Sequence, residues 1–131
     1  MGNVNLLAVF LAATAFFAVG ALWYGVLFGK PWQRETGITE PPQGAQVAKI
    51  MGLTFAFELL VCLMLGHNIA RTNPAPHVIM MMAVGFGLTI MTPAIGINYL
   101  HQRKSLTLFL IDAGHFVVGM AVVGGVFVAF A

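Results

Sequence analysis

The stretch MGLTFAFELLVCLMLG, residues 51–66, decides the fold class of this chain. It is a continuous run of apolar residues with one acidic side chain, Glu58, near its middle. With its flanking residues, the run reaches the ~20 residues that a helix needs to cross the hydrocarbon core of a bilayer. Because the apolar residues are continuous rather than alternating, the run predicts a membrane-spanning helix and not a strand of a membrane barrel.

The composition also indicates a membrane protein. Of the 131 residues, 60% are hydrophobic and only 8% are charged, whereas a soluble domain carries about 25% charged residues. The length allows a single domain, and a net charge of +2 is too small to indicate a nucleic-acid partner. Cys62 is the only cysteine, so no internal disulfide can form, and its apolar surroundings predict a small buried side chain.

Three further apolar runs accompany the first. The hydropathy predicts spans at about 5–28, 48–70, 78–100 and 105–130. Residues 29–47 form the only substantial connection, and the other two connections are short. Short connections favour neighbouring antiparallel helices, so residues 1–131 predict one integral membrane domain, an all-α four-helix transmembrane bundle with up-down topology.

The distribution of basic residues predicts the orientation. Arg71 lies at the second connection, and the other five basic residues flank the first and third: Lys30, Arg34, Lys49, Arg103 and Lys104. The excess of lysine and arginine marks the cytoplasmic side. We therefore expect a multi-pass protein of the cytoplasmic membrane, with both termini extracytoplasmic. Trp23 and Trp32 are expected to anchor the chain at the membrane interface.

Each predicted span contributes a polar side chain to one half of the bundle. At 1.5 Å per helical residue, Glu58 and His115 lie about 15 Å from the cytoplasmic edge. Asp112 lies one turn nearer that edge on the face of His115, and Tyr24 and Asn98 lie about two turns shallower. These five residues form the predicted polar centre. We expect Glu58 and His115 to be within direct or single-water reach, with Asp112 supporting the histidine.

Structural roles for these residues stay open at this point. Asp112 and His115 also suit a pair that sets helix register, and Asn98 suits a simple tie between helices. Glu58 is the hardest to explain in this way, because no basic residue stands near it in its own span.

Small residues and one proline bear on helix packing. Pro93 predicts a kink in the third span. Small residues spaced four apart predict faces where helices approach closely. These sets are Ala21/Gly25/Gly29, Ala83/Gly87 and Ala121/Gly125.

Several motifs resemble one bacterial family. The strings GALWY at 20–24, LFGKPW at 27–32, INYL at 97–100 and LIDAGH at 110–115 are similar to the domain of unknown function 1761. The resemblance covers nearly the whole chain. It implies a small four-span protein of the bacterial inner membrane, and it implies no activity.

Three classes of function remain. The polar centre favours a carrier or channel for a small solute or a proton. A non-catalytic membrane subunit or assembly factor is the second class, and a membrane-embedded enzyme or a metal- or haem-binding protein is the third. His67 lies about 13 Å from the level of His115, too far for both to ligate one haem iron. We expect no cofactor and no metal, and an enzyme is less favoured than the first two classes. The expected partners are the lipid bilayer and further copies of the chain in a homo-oligomer, since four helices enclose only a narrow polar core.

Overall fold

The structure, a computed structural model, describes residues 3–131, and its regular elements are helices. Four of the helical stretches are long and apolar enough to cross a membrane. In chain order the first to fourth spans are Leu6–Leu27, Ala45–Thr72, Pro76–Gln102 and Leu106–Ala129. The predicted all-α class and the four-span bundle are confirmed, and the chain is a membrane protein.

The spans contain irregular segments that hydropathy does not predict. Two stretches of π-helix, Trp23–Leu27 and Phe86–Met91, extend or interrupt the first and third spans. The predicted connection at 29–47 contains a helix of its own, and the second span begins at Ala45. The α-helices are α1 (Leu6–Leu22), α2 (Gly29–Thr36), α3 (Ala45–Thr72), α4 (Pro76–Gly85), α5 (Thr92–Gln102) and α6 (Leu106–Ala129).

The sequence specifies where these helices begin and end. The side chains of Asn5 and Ser105 each accept a hydrogen bond from the backbone N–H three residues later, which caps α1 and α6. Asn73 and Arg103 adopt left-handed backbone angles, φ 44° and 57°, and terminate α3 and α5. The short turns at 73–75 and 103–105 follow from these local signals.

The third span changes its helical geometry just before Pro93. The π-helical segment Phe86–Met91 precedes the proline, whose ring nitrogen cannot donate a hydrogen bond. The hydroxyl of Thr92 donates to the carbonyl of Gly87 at 2.8 Å. Because a π-helical turn holds an extra residue, it rotates α5 relative to α4.

The first and fourth spans form the centre of the bundle. The first span packs against the second on one side and against the fourth on the other, and the third span packs mainly against the fourth. The second and third spans make few contacts with each other, although a short turn joins them. A short connection therefore does not make those two helices close neighbours.

Small residues allow the third span to approach the fourth. A Cβ atom on Gly87 would lie 3.0 Å from the carbonyl oxygen of Phe116, and Ala83 is fully buried. The predicted Ala83/Gly87 face is therefore a helix–helix contact. Gly25 and Gly125 differ, because an added Cβ at either position would meet no atom of residues 3–131 within 4 Å.

The two ends of the bundle are distinct. The hydroxyl of Ser105 donates to the carboxylate of Glu35, so the first and third connections share one end, which we call the basic end. At the other end a groove of about 700 Å³ brings together Asn5, Asn73 and Phe130. The up-down topology stays a prediction, which these two groupings support.

Candidate functional site

Asp112 is held by two tyrosines from two other spans. The Tyr24 hydroxyl donates to Oδ1 at 2.5 Å, and the Tyr99 hydroxyl donates to Oδ2. The aspartate is buried and both tyrosines are half-buried. We call these three residues the tyrosine–aspartate clasp. The clasp joins the first, third and fourth spans near the basic end.

Local structure in the first span brings Tyr24 to Asp112. Tyr24 lies in the π-helical segment, next to Trp23, whose indole N–H donates to the carbonyl oxygen of Ile111 at 2.8 Å. The Trp23 ring covers Gly114, where an added Cβ would lie 3.0 Å from the ring. Adjacent residues of the first span therefore both contact the fourth span. Trp23, predicted as an interface anchor, has its N–H bonded within the protein.

His115 lies one turn deeper than Asp112 and is enclosed by aromatic rings. The ring centroids of Phe16, Tyr24 and Phe116 are 5.5, 5.1 and 4.8 Å from that of His115. A Cβ atom on Gly20 would lie 3.2 Å from Nε2, so a glycine leaves the space that the imidazole fills.

The His115 ring is buried, and neither ring nitrogen has a hydrogen-bond partner within residues 3–131. No hydrogen bond joins Asp112 to His115 among residues 3–131, and the hydrogen bonds that Asp112 accepts come from the two tyrosine hydroxyls. The i,i+3 spacing puts the two side chains on one helix face but leaves the acid turned towards the tyrosines.

Glu58 lies apart from the clasp. It is 6% exposed, on the second span, which packs mainly against the first. Its Oε1 atom has no hydrogen-bond partner in the described chain, and no hydrogen bond joins it to His115. The site therefore consists of a satisfied acid, Asp112, and two buried groups with unsatisfied polar atoms, Glu58 and His115.

Tyr99, which the sequence analysis missed, contacts Asp112, whereas the predicted Asn98 is exposed. Neighbouring residues on a helix point about 100° apart, so one position decides which side chain faces inwards. The π-helical segment upstream of Tyr99 changes which positions of the third span face inwards. The sequence does contain one signal for Tyr99: its depth in the third predicted span matches the depth of Tyr24 in the first span.

Trp32 extends the site into α2. Its ring lies edge-on to Tyr24, with centroids 6.0 Å apart, and it is half-buried. Glu35, one turn further along α2, accepts the hydrogen bond from Ser105 at the start of α6. These two contacts hold α2 across the basic end, directly beside the clasp.

Within the described range, no three His, Cys, Asp or Glu side chains are placed to share a metal ion. The buried polar side chains of the site offer proton exchange and hydrogen bonding. A carboxyl at Glu58 and an imidazole at His115 can each gain or lose a proton, and each has a buried polar atom free to bind.

Comparison with known proteins assigns the chain to a family. Searches of curated proteins and of solved structures gave no match. The family described as "Protein of unknown function (DUF1761)" matches residues 7–128, which include the clasp, His115 and Glu58. With four apolar spans and a match over nearly its whole length, the chain belongs to the DUF1761 family.

Proposed function

We propose that this protein is a carrier for a small solute, coupled to protons, in which Glu58 and His115 exchange the protons. One observation carries the proposal. Both side chains are at least nine-tenths buried in the membrane-spanning bundle, and Glu58 Oε1 and both His115 ring nitrogens have no partner among the described residues. Intramembrane acids and histidines of this kind are typical of proton relays and substrate sites.

The energetic cost of these groups supports a functional role. A buried polar group without a hydrogen bond costs about 1–3 kcal/mol, and a charge at the bilayer centre costs at least about 2.5–3.5 kcal/mol. An apolar side chain would avoid both costs. A proton or a polar solute that binds Glu58 or His115 during a transport cycle would supply the missing partner.

The clasp has a different role in this proposal. Asp112 has both oxygens hydrogen-bonded, so its burial is compensated locally. It fixes three spans at the basic end, while the groove opens the bundle at the other end. We propose that the clasp keeps the basic end closed in this conformation.

We further propose that the basic end faces the cytoplasm of a bacterial cell and that both termini are extracytoplasmic. Five of the six lysines and arginines flank the two connections at that end. This asymmetry is the usual determinant of orientation.

A homo-oligomer is also proposed. Ala21 and Gly25 are exposed on the first span, and an added Cβ on Gly25 would meet nothing within 4 Å. Such a face of small residues suits close contact with a helix of a second copy. Chemical crosslinking of the purified protein in bilayers would give dimers or larger species if this is right, and monomers alone would contradict it.

The function is tested by proton flux into vesicles. The purified protein is reconstituted with a trapped pH-sensitive dye, and an external pH step is applied with and without small solutes. We expect faster acidification than in empty vesicles, and its loss in His115→Phe, which fits an aromatic pocket without ring nitrogens. Flux equal to that of empty vesicles under every condition would overturn the proposal.

A further inference from the structure

A second cavity lies between the third and fourth spans at the basic end. Its volume is about 170 Å³, and it is open to the surroundings of the bundle. Its walls are mostly apolar and its rim is polar. The lining residues are Gly96, Tyr99, Leu100, Lys104, Ser105, Leu106 and Phe109. We call this cavity the basic cleft.

Positive charge gathers around the basic cleft. Lys104 lines it, and Arg103 is its neighbour in the chain; both are exposed. Ser105 brings Glu35 to the same place, and the guanidinium Nε of Arg34 lies 3.8 Å from the Glu35 carboxylate. Glu35 is thus paired with Arg34, which leaves Lys104 and its neighbour Arg103 to give the rim a net positive charge.

Backbone geometry fixes the rim. Arg103 has φ 57°, and the N–H of Lys104 donates to the carbonyl of Tyr99 at 2.9 Å. This turn holds Lys104 above the last turn of α5. Because Ser105 and Leu106 also line the basic cleft, the N-terminus of α6 is at its edge, where the Glu35 carboxylate accepts the hydrogen bond from Ser105.

We propose that the basic cleft binds an anionic phospholipid. The phosphate would lie at Lys104 and Arg103, and the upper part of an acyl chain would lie along Leu100, Leu106 and Phe109. Basic pockets between transmembrane helices recognise anionic headgroups in this way. Leu100 and Leu106 are 79% and 71% exposed, so an acyl chain can lie along them beside the cations, a contact that a free phosphate ion cannot make.

The lipid would lie beside the clasp. Tyr99 lines the basic cleft and also donates to Asp112, so one side chain separates the proposed lipid from the buried acid. The lipid site does not depend on the proposed transport function, because it is inferred from the cleft and its cations alone.

Binding is measured on the full chain by native mass spectrometry in detergent, with phosphatidylglycerol added in steps. We expect retained lipid on the unaltered protein and about a tenfold weaker affinity in Arg103→Gln/Lys104→Gln. Lys30→Gln/Lys49→Gln removes the same charge from exposed positions that do not line the cleft and should change the affinity less than about threefold. Equal losses in the two double variants would overturn the site.

Two comparisons separate this lipid from other ligands. Phosphatidylcholine with the same acyl chains should be retained about tenfold less, because it has no net charge. Glycerol phosphate should not displace phosphatidylglycerol. Displacement at matched concentration would indicate a site for free phosphate, and equal retention of phosphatidylcholine would indicate unspecific coating; either result would overturn the proposal.

A crosslinking experiment does not depend on the folding of any variant. Phosphatidylglycerol with a photoreactive group near the headgroup is added to the unaltered chain and illuminated. We expect adducts on peptides that carry residues 96–109. Adducts spread evenly over the four spans would contradict a defined site.

Discussion

At the scale of single residues, the buried carboxyl and imidazole side chains of the described chain differ in how their polar atoms are satisfied. Asp112 has a hydroxyl donor for each oxygen, whereas Glu58 and His115 have polar atoms with no partner among the described residues. A satisfied buried acid stabilises the arrangement around it, and an unsatisfied one costs free energy. In the proposed function, Asp112 is therefore the structural member of the site, and Glu58 and His115 exchange the protons.

The first prediction concerns the clasp. Tyr99→Phe removes the hydroxyl that binds Asp112 and should lower the free energy of unfolding by about 1–3 kcal/mol. Thermal unfolding in detergent would record this as a lower melting temperature. Asn98→Ala is the matched control, because Asn98 is exposed and should leave the melting temperature nearly unchanged. If the two variants lose the same stability, the clasp does not contribute as described.

The sequence predicted most members of the polar centre, but it did not predict which of them are hydrogen-bond partners. Tyr24 and Asp112 were in the predicted polar centre, and a hydrogen bond joins them. Tyr99 was missed in favour of Asn98, because the π-helical segment shifts the phase of the third span by a residue. Which side chains meet across two helices depends on the rotation of each helix about its axis, and hydropathy does not report this rotation.

At the scale of elements, glycine positions set the distance between the third and fourth spans. An added Cβ on Gly87 would meet backbone atoms of Phe116 and Val117 at 3.0 and 3.2 Å. Backbone atoms in two packed helices cannot move separately, so a larger residue must push the helices apart. This contact fixes the part of the fourth span that carries His115.

Gly87→Ala should therefore lower the free energy of unfolding by about 1–3 kcal/mol, the usual cost of overpacking. Gly85→Ala, two residues earlier in the same span, is the control, since its Cβ would meet nothing within 4 Å. Melting temperatures of the two proteins in the same detergent provide the measurement. A destabilised Gly85→Ala together with an unaffected Gly87→Ala would refute the described helix contact.

The short helix α2 gives a second test at this scale. Glu35→Ala removes its hydrogen bond to Ser105 and should loosen α2 from the start of α6. Hydrogen exchange should become faster in Gly29–Thr36 while the four spans keep their protection. Glu40→Ala, at an exposed position beyond α2, should leave the exchange unchanged. Unchanged exchange in both variants would show that α2 is held by other contacts.

At the scale of the whole molecule, hydropathy predicted the four spans, and their ends lie within three residues of the observed helices. Length and apolar composition are properties of each segment alone, which is why they could be predicted. The neighbour relations could not, since the few contacts between the second and third spans depend on packing that no connection length reveals. The groove and the basic cleft arise from that packing.

The orientation is tested by cysteine labelling in a Cys62→Ala background. Thr39→Cys lies in the first connection and Ala75→Cys in the second, and both positions are exposed. We expect an impermeant thiol reagent to label Ala75→Cys on intact cells and Thr39→Cys only after permeabilisation. The opposite pattern would invert the proposed orientation.

The most direct test of the proposed function is proton flux through vesicles that contain Glu58→Gln. The substitution preserves shape and removes the titrating carboxyl, so the protein should stay folded, with a melting temperature equal to or above that of the unaltered chain. Glu40→Gln, the same substitution at an exposed position outside the spans, serves as the comparison. We expect no flux above empty vesicles in Glu58→Gln and retained flux in Glu40→Gln. Full proton flux in Glu58→Gln would contradict the role proposed for this buried acid.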